Sequence, residues 1–384
     1  MSARRPRVAQ RARVCRPHDA LVATAAAVLA AAAVALRRGR PRQPESPTGS
    51  ATDVFARAVD RNFVARLGLE VAATLGLVDH ILEGTHEIGE LAAQCEADRD
   101  ALMRLLRLLA LSGIVRVNED ARTVEVTPAG ALLASSDERL WRSRLDQRGM
   151  GRRMDEAVFH GLLASIRTGA ASYRQVHGRG FWEDAVAHDL AGSFQSHMAP
   201  HAIDLASDVA ALPELAAASS VVDLGGGDGA LLEGVLKANP RLHGSLVELP
   251  EVAALARQRF AGGELESRVS IIAGDLFKPR VEQHDVCLLS WVLHDWPDAE
   301  ATQILAAGAA ALATGGRLVV IERPREASLE VLEADLRMLV FFGGRERSEE
   351  EWHALFGDAE LRVVHATPVG SGPFVAYCLA SIRR

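Results

Sequence analysis

The sequence predicts an α/β protein in which a mostly parallel sheet follows an N-terminal, mainly α-helical module. Two observations predict this fold class. From residue 219 onwards, apolar runs typical of strands alternate with helical patterns, beginning with a strand at 220–224 and a helix at 231–238. Apolar strands separated by helices form parallel sheets that are covered on both faces. Residues 51–150 instead show helix, helix and hairpin patterns, an order typical of a winged helix.

These patterns divide the chain into three parts, at 1–50, 51–150 and 151–384. The first part carries ten Arg and one acidic residue within 1–42, whereas the whole chain has a net charge of −7. Its uncharged, alanine-rich run at 20–36 is shorter than the roughly 20 residues of a membrane span. The Ala-Leu-Arg-Arg that follows is a poor signal-peptidase site. We expect a poorly ordered extension, with membrane contact only if residues 20–36 act as an anchor; an export signal is the third interpretation.

The module at 51–150 is predicted to pair with a second copy rather than to bind DNA. It contains twelve Arg and sixteen acidic residues, so its net charge opposes contact with phosphates. Its second helix, at 102–111, is apolar on most of its circumference and should be buried. A homodimer would supply the cover that such a helix needs. We therefore expect no nucleic-acid partner, and a winged-helix regulator remains the alternative.

Four cysteines, at positions 15, 95, 287 and 378, are scattered without the spacing of a metal site. So few cysteines in a chain of 384 residues are typical of a reducing compartment. We expect a cytoplasmic protein with neither a disulfide framework nor a bound metal.

The turn between the first strand and helix of the sheet has the sequence Val-Asp-Leu-Gly-Gly-Gly-Asp-Gly at 222–229. A strand that turns on glycines into a helix presents backbone N–H groups to a ligand. Gly225, Gly227 and Ala230 match the dinucleotide pattern, and Glu248 lies where a ribose-binding acid belongs. The pattern by itself therefore allows NAD, and a turn without a ligand is the structural alternative.

Acidic residues around this turn favour a different ligand. Asp223 precedes the turn, Asp228 lies inside it, and Asp275 follows the next strand but one. Carboxylates repel a pyrophosphate and attract the ammonium and sulfonium groups of S-adenosylmethionine (SAM). Because Asp275 could also meet an adenine amino group, we expect SAM rather than NAD.

A second group of residues indicates proton transfer. His294 follows the end of a strand, and Glu322 and Glu346 are predicted to lie at the same sheet edge. Carboxylates next to an imidazole fix its tautomer and raise its basicity, as a general base requires. A lone histidine after a strand is usually structural. The hypothesis that His294 is catalytic therefore depends on the two acids.

Six motifs together resemble the SAM-dependent O-methyltransferases of the plant caffeate and bacterial polyketide-tailoring type. They are VVDLGGGDG at 221–229, VELPEV at 247–252, AGDLF at 273–277, LLSWVLHDWPD at 288–298, GGRLVVIE at 315–322 and GGRERSEEEW at 343–352. Residues 51–134 are similar to that family's dimerisation domain. The resemblance implies a Rossmann-like class I methyltransferase domain with a seven-stranded sheet, transfer of the SAM methyl group to an acceptor hydroxyl, and a homodimer.

The resemblance also implies roles for the cofactor residues. Gly225 and Gly227 would approach the methionine part of SAM, beside Asp223, and Glu248 would bind the ribose hydroxyls. The adenine would be held by three consecutive residues, Asp275, Leu276 and Phe277. Ser290 stands where plant members carry a Lys near the cofactor carboxylate, a departure that bacterial members share.

The resemblance implies that His294 is the general base, with Glu322 and Glu346 as flanking acids. Met198 and Met338 fall near positions that line the acceptor pocket. We expect a small phenolic or polyketide acceptor, in a pocket that would be built on Phe159, Phe181, Trp291 and Phe341. Some relatives hold SAM without transferring its methyl group and act as hydroxylases; His294 with its two acids favours methyl transfer.

Overall fold

A computed structural model of the chain describes residues 63–137 and 139–382. The alanine-rich run at 20–36, with the anchor and signal interpretations attached to it, lies outside these residues. Within 63–137 and 139–382, no helix is long and apolar enough to cross a membrane.

The N-terminal module packs helices against a two-stranded hairpin. Its elements are α1 (Phe63–Thr74), α2 (Leu77–Leu82), α3 (Ile88–Gln94), α4 (Arg99–Leu111), β1 (Val115–Asn118) and β2 (Thr123–Val126). Asp98 caps α4 by accepting the N–H of Ala101 at 2.9 Å. Within one chain, this helix is buried on one face only, and the cover that a second copy is predicted to supply stays a prediction. One face, with Leu102 and Leu106, lies in the core, whereas Leu111 is 90% exposed.

Short and long helices connect the module to the sheet. They are α5 (Trp141–Leu145), α6 (Met150–Thr168), α7 (Tyr173–His177), α8 (Phe181–Ala187), α9 (Ala191–Ala210) and α10 (Pro213–Ala217). A buried carboxylate joins three of them, because Asp184 of α8 accepts hydrogen bonds from Arg153 of α6 and from the Tyr173 hydroxyl of α7, each at 2.8 Å. A buried acid is stable only when it is paired in this way.

The C-terminal domain is a seven-stranded sheet with the strand order β5-β4-β3-β6-β7-β9-β8. Only β9 runs antiparallel to its neighbours. The strands are β3 (Ser220–Leu224), β4 (His243–Glu248), β5 (Val269–Ala273), β6 (His284–Ser290), β7 (Leu312–Glu322), β8 (Leu361–Val369) and β9 (Phe374–Ser381). The helices are α11 (Ala230–Ala238), α12 (Pro250–Phe260), α13 (Asp298–Ala310), α14 (Leu329–Phe342) and α15 (Glu349–Asp358). The predicted fold class is confirmed.

The sheet separates two apolar cores. Val221 and Leu288 face the core under α9 and α11, whereas Val222 and Leu289 face the core under α13 and α15. Alternation of this kind buries both faces of the central strands, as expected for a parallel sheet. The strand order reverses between β3 and β6, so the carboxyl ends of these strands open a crevice at that edge.

Helix α14 was not predicted, although the sequence carries its boundary signals. Ser328 caps it by accepting the N–H of Val331 at 3.3 Å, and Gly343 ends it in a left-handed conformation at φ 77°. Residues of this helix, including Met338 and Phe341, line the same cavity as the glycine turn, so the helix contributes directly to the site.

Candidate active site

A cavity of about 590 Å³ lies at the carboxyl ends of the central strands. Its lining includes eleven of the thirteen site residues predicted from the sequence, all except Glu322 and Glu346. These are Met198, Asp223, Gly225, Gly227, Glu248, Asp275, Leu276, Phe277, Ser290, His294 and Met338. The structure therefore brings the predicted cofactor residues and the predicted base to one continuous space.

The glycine turn connects β3 to α11 with backbone conformations that favour glycine. Gly225 and Gly227 have φ values of 74° and 62°. A Cβ on Gly227 would lie 2.6 Å from the Gln195 side-chain oxygen, and one on Gly225 would lie 2.9 Å from Val292. Side chains here would be strained and would fill the space beside the turn. Gln195, which also accepts the N–H of Asp228 at 3.3 Å, is a contact that the sequence did not reveal.

Asp223 lies below the turn without a hydrogen-bond partner. It is fully buried, and neither carboxylate oxygen has a partner among the described residues. Burial raises the pKa of Asp223 to about 7, and the nearby charge of Glu248 adds to this effect. A buried acid in this state is costly unless something pairs with it. Asp223 is therefore the group in the turn that most needs a bound donor or cation.

The charge argument made from the sequence is wrong for Asp228. Its carboxylate forms an ion pair with Arg259 of α12, which also donates to the Asp228 carbonyl at 3.0 Å. An acid that is already neutralised contributes little attraction for a cationic ligand. The preference for a cation therefore depends on Asp223 and not on the whole acidic group.

The remaining predicted cofactor residues line the cavity near the glycine turn. Glu248 ends β4 and accepts the N–H groups of Gly227 at 3.2 Å and Leu249 at 2.7 Å. Asp275 is exposed, and its carboxylate accepts the N–H of Phe277 at 2.9 Å, so it shapes its own loop. Phe277 meets Trp296 edge to face at 4.8 Å between ring centroids.

His294 is held in the wall of the cavity by Glu346. The residue is 6% exposed, and its Nδ1 lies 3.0 Å from Glu346 Oε1. Because a carboxylate oxygen can only accept, Nδ1 carries the hydrogen and Nε2 is free to take a proton. Asp295, which the sequence did not reveal, lies 3.5 Å from Nε2.

Glu322 flanks the imidazole, as predicted, but its hydrogen bonds are not to the ring. It lies close to the imidazole, since atoms of His294, Glu322 and Glu346 fall within 4.8 Å of one another. Its hydrogen bonds go to the backbone, however: Oε1 accepts the N–H groups of Val292 at 3.2 Å, Leu293 at 2.8 Å and His294 at 3.4 Å. Glu322 therefore fixes the turn that carries the imidazole and does not orient the ring by a hydrogen bond.

The acids decide the charge of the imidazole. Burial disfavours the imidazolium, but the charges of Glu322, Glu346 and Asp295 and the hydrogen bond that Nδ1–H donates to Glu346 outweigh it and raise the pKa of His294 to about 9. Conversely, burial opposes ionisation of Glu346, yet His294 and Arg323 lower its pKa. The acidic residues of the cluster thus stabilise a proton on His294.

Arg323 is a second residue that the sequence did not reveal. Its Nη2 donates to Glu346 Oε1 at 2.8 Å, the same oxygen that contacts His294. The guanidinium is buried and lies over the ring of Trp291 at 4.6 Å from the centroid. Glu346 is therefore shared between an imidazole and a permanent cation.

Aromatic and thioether side chains form a large part of the cavity lining. They include Met154, Phe181, Trp182, Phe194, Met198, Trp291, Met338, Phe341 and Phe342. Phe159 was predicted to belong to this pocket, but it is 75% exposed on α6 and does not line the cavity. An apolar wall of this size suits a flat aromatic molecule.

The residues present fit SAM. The buried, unpartnered carboxylate of Asp223 suits its cationic part, and Glu248 at the end of β4 suits ribose hydroxyls. Leu276 and Phe277 offer an apolar place for adenine. Gly225 and Gly227 line the cavity, and the absence of a Cβ at both positions leaves their backbone accessible to a ligand there.

Comparison with known proteins identifies the family. Residues 159–362 match the O-methyltransferase domain and residues 61–136 match the O-methyltransferase dimerisation domain. Aclacinomycin 10-hydroxylase RdmB of Streptomyces purpurascens is 40% identical over 342 residues, covering 86% of this chain and 90% of that protein. The 2,7-dihydroxy-5-methyl-1-naphthoate 7-O-methyltransferase of Streptomyces carzinostaticus is 36% identical over 304 residues, covering 79% and 91%.

A solved structure agrees with these matches. The O-methyltransferase NcsB1 from neocarzinostatin biosynthesis, in complex with S-adenosyl-L-homocysteine and 1,4-dihydroxy-2-naphthoic acid, superposes with a TM-score of 0.76 at 34% identity. The match covers 85% of this chain and 98% of that one. The chain therefore belongs to the family of SAM-dependent O-methyltransferases that carry an N-terminal dimerisation domain.

Proposed function

We propose that this protein transfers the methyl group of SAM to a hydroxyl of a small aromatic natural product. The observation that carries the proposal is the placement of His294, buried and held by Glu346, in the wall of the cavity that the predicted cofactor residues and the aromatic side chains also line. The similarity to a naphthoate O-methyltransferase and to a complex with a naphthoic acid supports an aromatic acceptor.

The proposed cofactor site comprises the residues of the β3 to β6 edge. Asp223, Gly225 and Gly227 would receive the methionine part, and Glu248 the ribose. Asp275, Leu276 and Phe277 would flank the adenine, and Ser290 would lie near the cofactor carboxylate. All eight line the same cavity.

The mechanism follows from the hydrogen bonds of His294. When bound, SAM supplies an electrophilic methyl group on a positively charged sulfonium. A positive charge in the cavity disfavours the imidazolium and so lowers the pKa of His294, which frees Nε2 to accept a proton. Nε2 would then accept the proton of the acceptor hydroxyl, whose oxygen would take the methyl carbon as the carbon–sulfur bond breaks and S-adenosylhomocysteine leaves, while Glu346 would accept the hydrogen bond from Nδ1–H. Met198 and Met338, with the aromatic wall, would position the acceptor and exclude water.

A second candidate function keeps the cofactor and changes the product. The relative named as a hydroxylase is 40% identical over most of both chains, so overall similarity does not separate the two reactions. The hydrogen-bonded His294 supports methyl transfer, because a positioned base is what removal of a hydroxyl proton requires. Mass spectrometry distinguishes the candidates: one product gains a methyl group and the other gains an oxygen atom.

We also propose a homodimer. Besides the matched dimerisation domain, α6 carries an exposed apolar stripe of Phe159, Leu163 and Ile166 at helical spacing, and Leu111 is exposed at the end of α4. Apolar stripes of this kind are typical of interfaces. Light scattering after gel filtration should give twice the chain mass for the wild type and a smaller mass for Phe159→Asp with Leu163→Asp. A monomeric wild type would contradict the proposal.

The function is tested by incubating the protein with methyl-labelled SAM and a panel of phenols, naphthols and polyketide aglycones. We expect label in an ether product, identified by mass spectrometry, and S-adenosylhomocysteine in equal amount. A protein that binds SAM yet labels no hydroxyl in the panel, while adding oxygen to one, would favour the second candidate.

A further inference from the structure

Three residues of types that ligate metals meet between α10 and the β8–β9 hairpin. They are Glu214 in the first turn of α10, His365 of β8 and Cys378 of β9. A carboxylate oxygen, an imidazole nitrogen and the thiol sulfur of these residues lie within 4.8 Å of one another. None of the three lines the large cavity, so the cluster is separate from the proposed active site.

Strand pairing holds two members of this cluster in place. His365 and Cys378 lie directly opposite each other in the antiparallel β8–β9 pair. Side chains of directly opposite residues leave the sheet on the same face, so the backbone register itself makes the imidazole and the thiol neighbours. Glu214 reaches them from a different element, and its Oε1 lies 2.8 Å from His365 Nε2. A site built on two strands and a helix is largely shaped before a ligand binds.

The three side chains satisfy one another only in part. Oε2 of Glu214 is buried, and its only neighbouring donor among the described residues is the Cys378 thiol, which is a weak one. Without a metal, Nε2 of His365 carries the hydrogen that Glu214 accepts. With a metal on Nε2, the hydrogen would move to Nδ1, which lies 3.3 Å from the Thr367 hydroxyl. Histidines that ligate metals make an outer hydrogen bond of this kind.

We propose that Glu214, His365 and Cys378 bind a zinc ion, which clamps α10 to the β8–β9 hairpin. Zinc accepts a mixed set of thiolate, imidazole and carboxylate ligands, whereas magnesium and calcium prefer oxygen alone. On binding, the thiol releases its proton to solvent and the imidazole stays neutral, so the thiolate and the carboxylate balance the two charges of the ion. A water molecule would complete the tetrahedron beside His365, whose side chain is 35% exposed.

Zinc binding requires only a small adjustment of the cluster. With zinc–ligand bonds of about 2.0–2.3 Å, atoms bound to one tetrahedral ion lie about 3.3–3.6 Å apart. The contact between Glu214 and His365 would therefore lengthen by about half an ångström, and the ion would replace the hydrogen bond. The sequence predicted no metal, because positions 214, 365 and 378 lack the spacing of a metal site; only the fold brings them together.

The test uses cobalt(II), which substitutes for zinc and reports its ligands, on the full-length protein freed of metal by a chelator. We expect a thiolate-to-cobalt charge-transfer band that saturates at one cobalt per chain and disappears when zinc is added. Cys378→Ala should abolish the band, and His365→Gln should weaken zinc binding at least tenfold in calorimetry. The matched controls are Cys95→Ser, in the N-terminal module, and His243→Gln, at the exposed start of β4; both should bind zinc as the wild type does. Wild-type SAM affinity shows that each variant is folded.

A wild type without the charge-transfer band, or a band that survives in Cys378→Ala, would overturn the proposal. Zinc binding that S-adenosylhomocysteine abolishes would also overturn it, because the ion would then lie with His294 and its two acids. Zinc should raise the thermal midpoint of the wild type but not that of Cys378→Ala, since an ion that binds only the folded protein stabilises it. An equal rise in both proteins would contradict the clamp.

Discussion

Replacing Arg323 by glutamine should make His294 a stronger base that is more often protonated. Nη2 of Arg323 and Nδ1 of His294 both contact Glu346 Oε1, at 2.8 and 3.0 Å, so the two cations share one counterion. At an effective dielectric of about 20 and a separation of about 6 Å, two unit charges repel by about 3 kcal/mol, or about two pKa units. Losing this repulsion should raise the pKa of His294 above its value of about 9.

The assay is the pH dependence of kcat/KM for methyl transfer. In the wild type the acid limb should rise with pH, because only the neutral imidazole accepts a proton. Arg323→Gln should shift this limb to higher pH by about one to two units. At pH 8, kcat/KM should therefore fall by about 10- to 100-fold. Arg323→Lys keeps the charge and should retain the wild-type limb. An equal loss at every pH, or an unshifted limb in Arg323→Gln, would refute the reasoning.

Two further substitutions test the cofactor edge. Asp223→Asn should stabilise the ligand-free protein by about 1–2 kcal/mol at pH 8 and weaken SAM binding. Because the pKa of Asp223 is raised to about 7, its ionisation removes stability progressively as pH rises from about 4 through 7, so thermal unfolding should show a smaller gain at pH 5 than at pH 8; an equal gain at both pH values would contradict this. Gly227→Ala should reduce SAM affinity at least tenfold in calorimetry, since its φ is 62° and its Cβ would lie 2.6 Å from Gln195. Gly192→Ala is the control, because the added Cβ would lie in open space, and it should bind SAM with wild-type affinity. Equal SAM affinities of the two variants would contradict the proposal that the glycine turn forms part of the SAM site.

The sequence predicted those parts of the site that depend on strand ends. A glycine turn after β3, an acid at the end of β4 and a histidine after β6 necessarily meet at one edge of a parallel sheet. That rule placed Asp223, Glu248 and His294 together before any contact was known. Local signals also sufficed for most helices, as the cap at Asp98 illustrates.

Contacts between distant elements could not be predicted in the same way. Arg323 follows Glu322 directly, and no pattern indicates that it shares Glu346 with an imidazole 29 positions earlier. Arg259 neutralises Asp228 from another helix, which reverses a conclusion drawn from charge alone. Phe159 was predicted to line the acceptor pocket, but its side chain is exposed on the outer face of α6. In each case packing in three dimensions decided the role.

Turnover and SAM affinity of His294→Ala, measured side by side, test the central claim most directly. A general base contributes about 10²–10⁴-fold to the rate, and His294 makes no contribution to the proposed cofactor contacts at Asp223 and Glu248. We predict that methyl transfer falls by two or more orders of magnitude while the Kd for SAM stays within about twofold of the wild type. Unchanged turnover with normal SAM binding would contradict the assignment of His294 as the base.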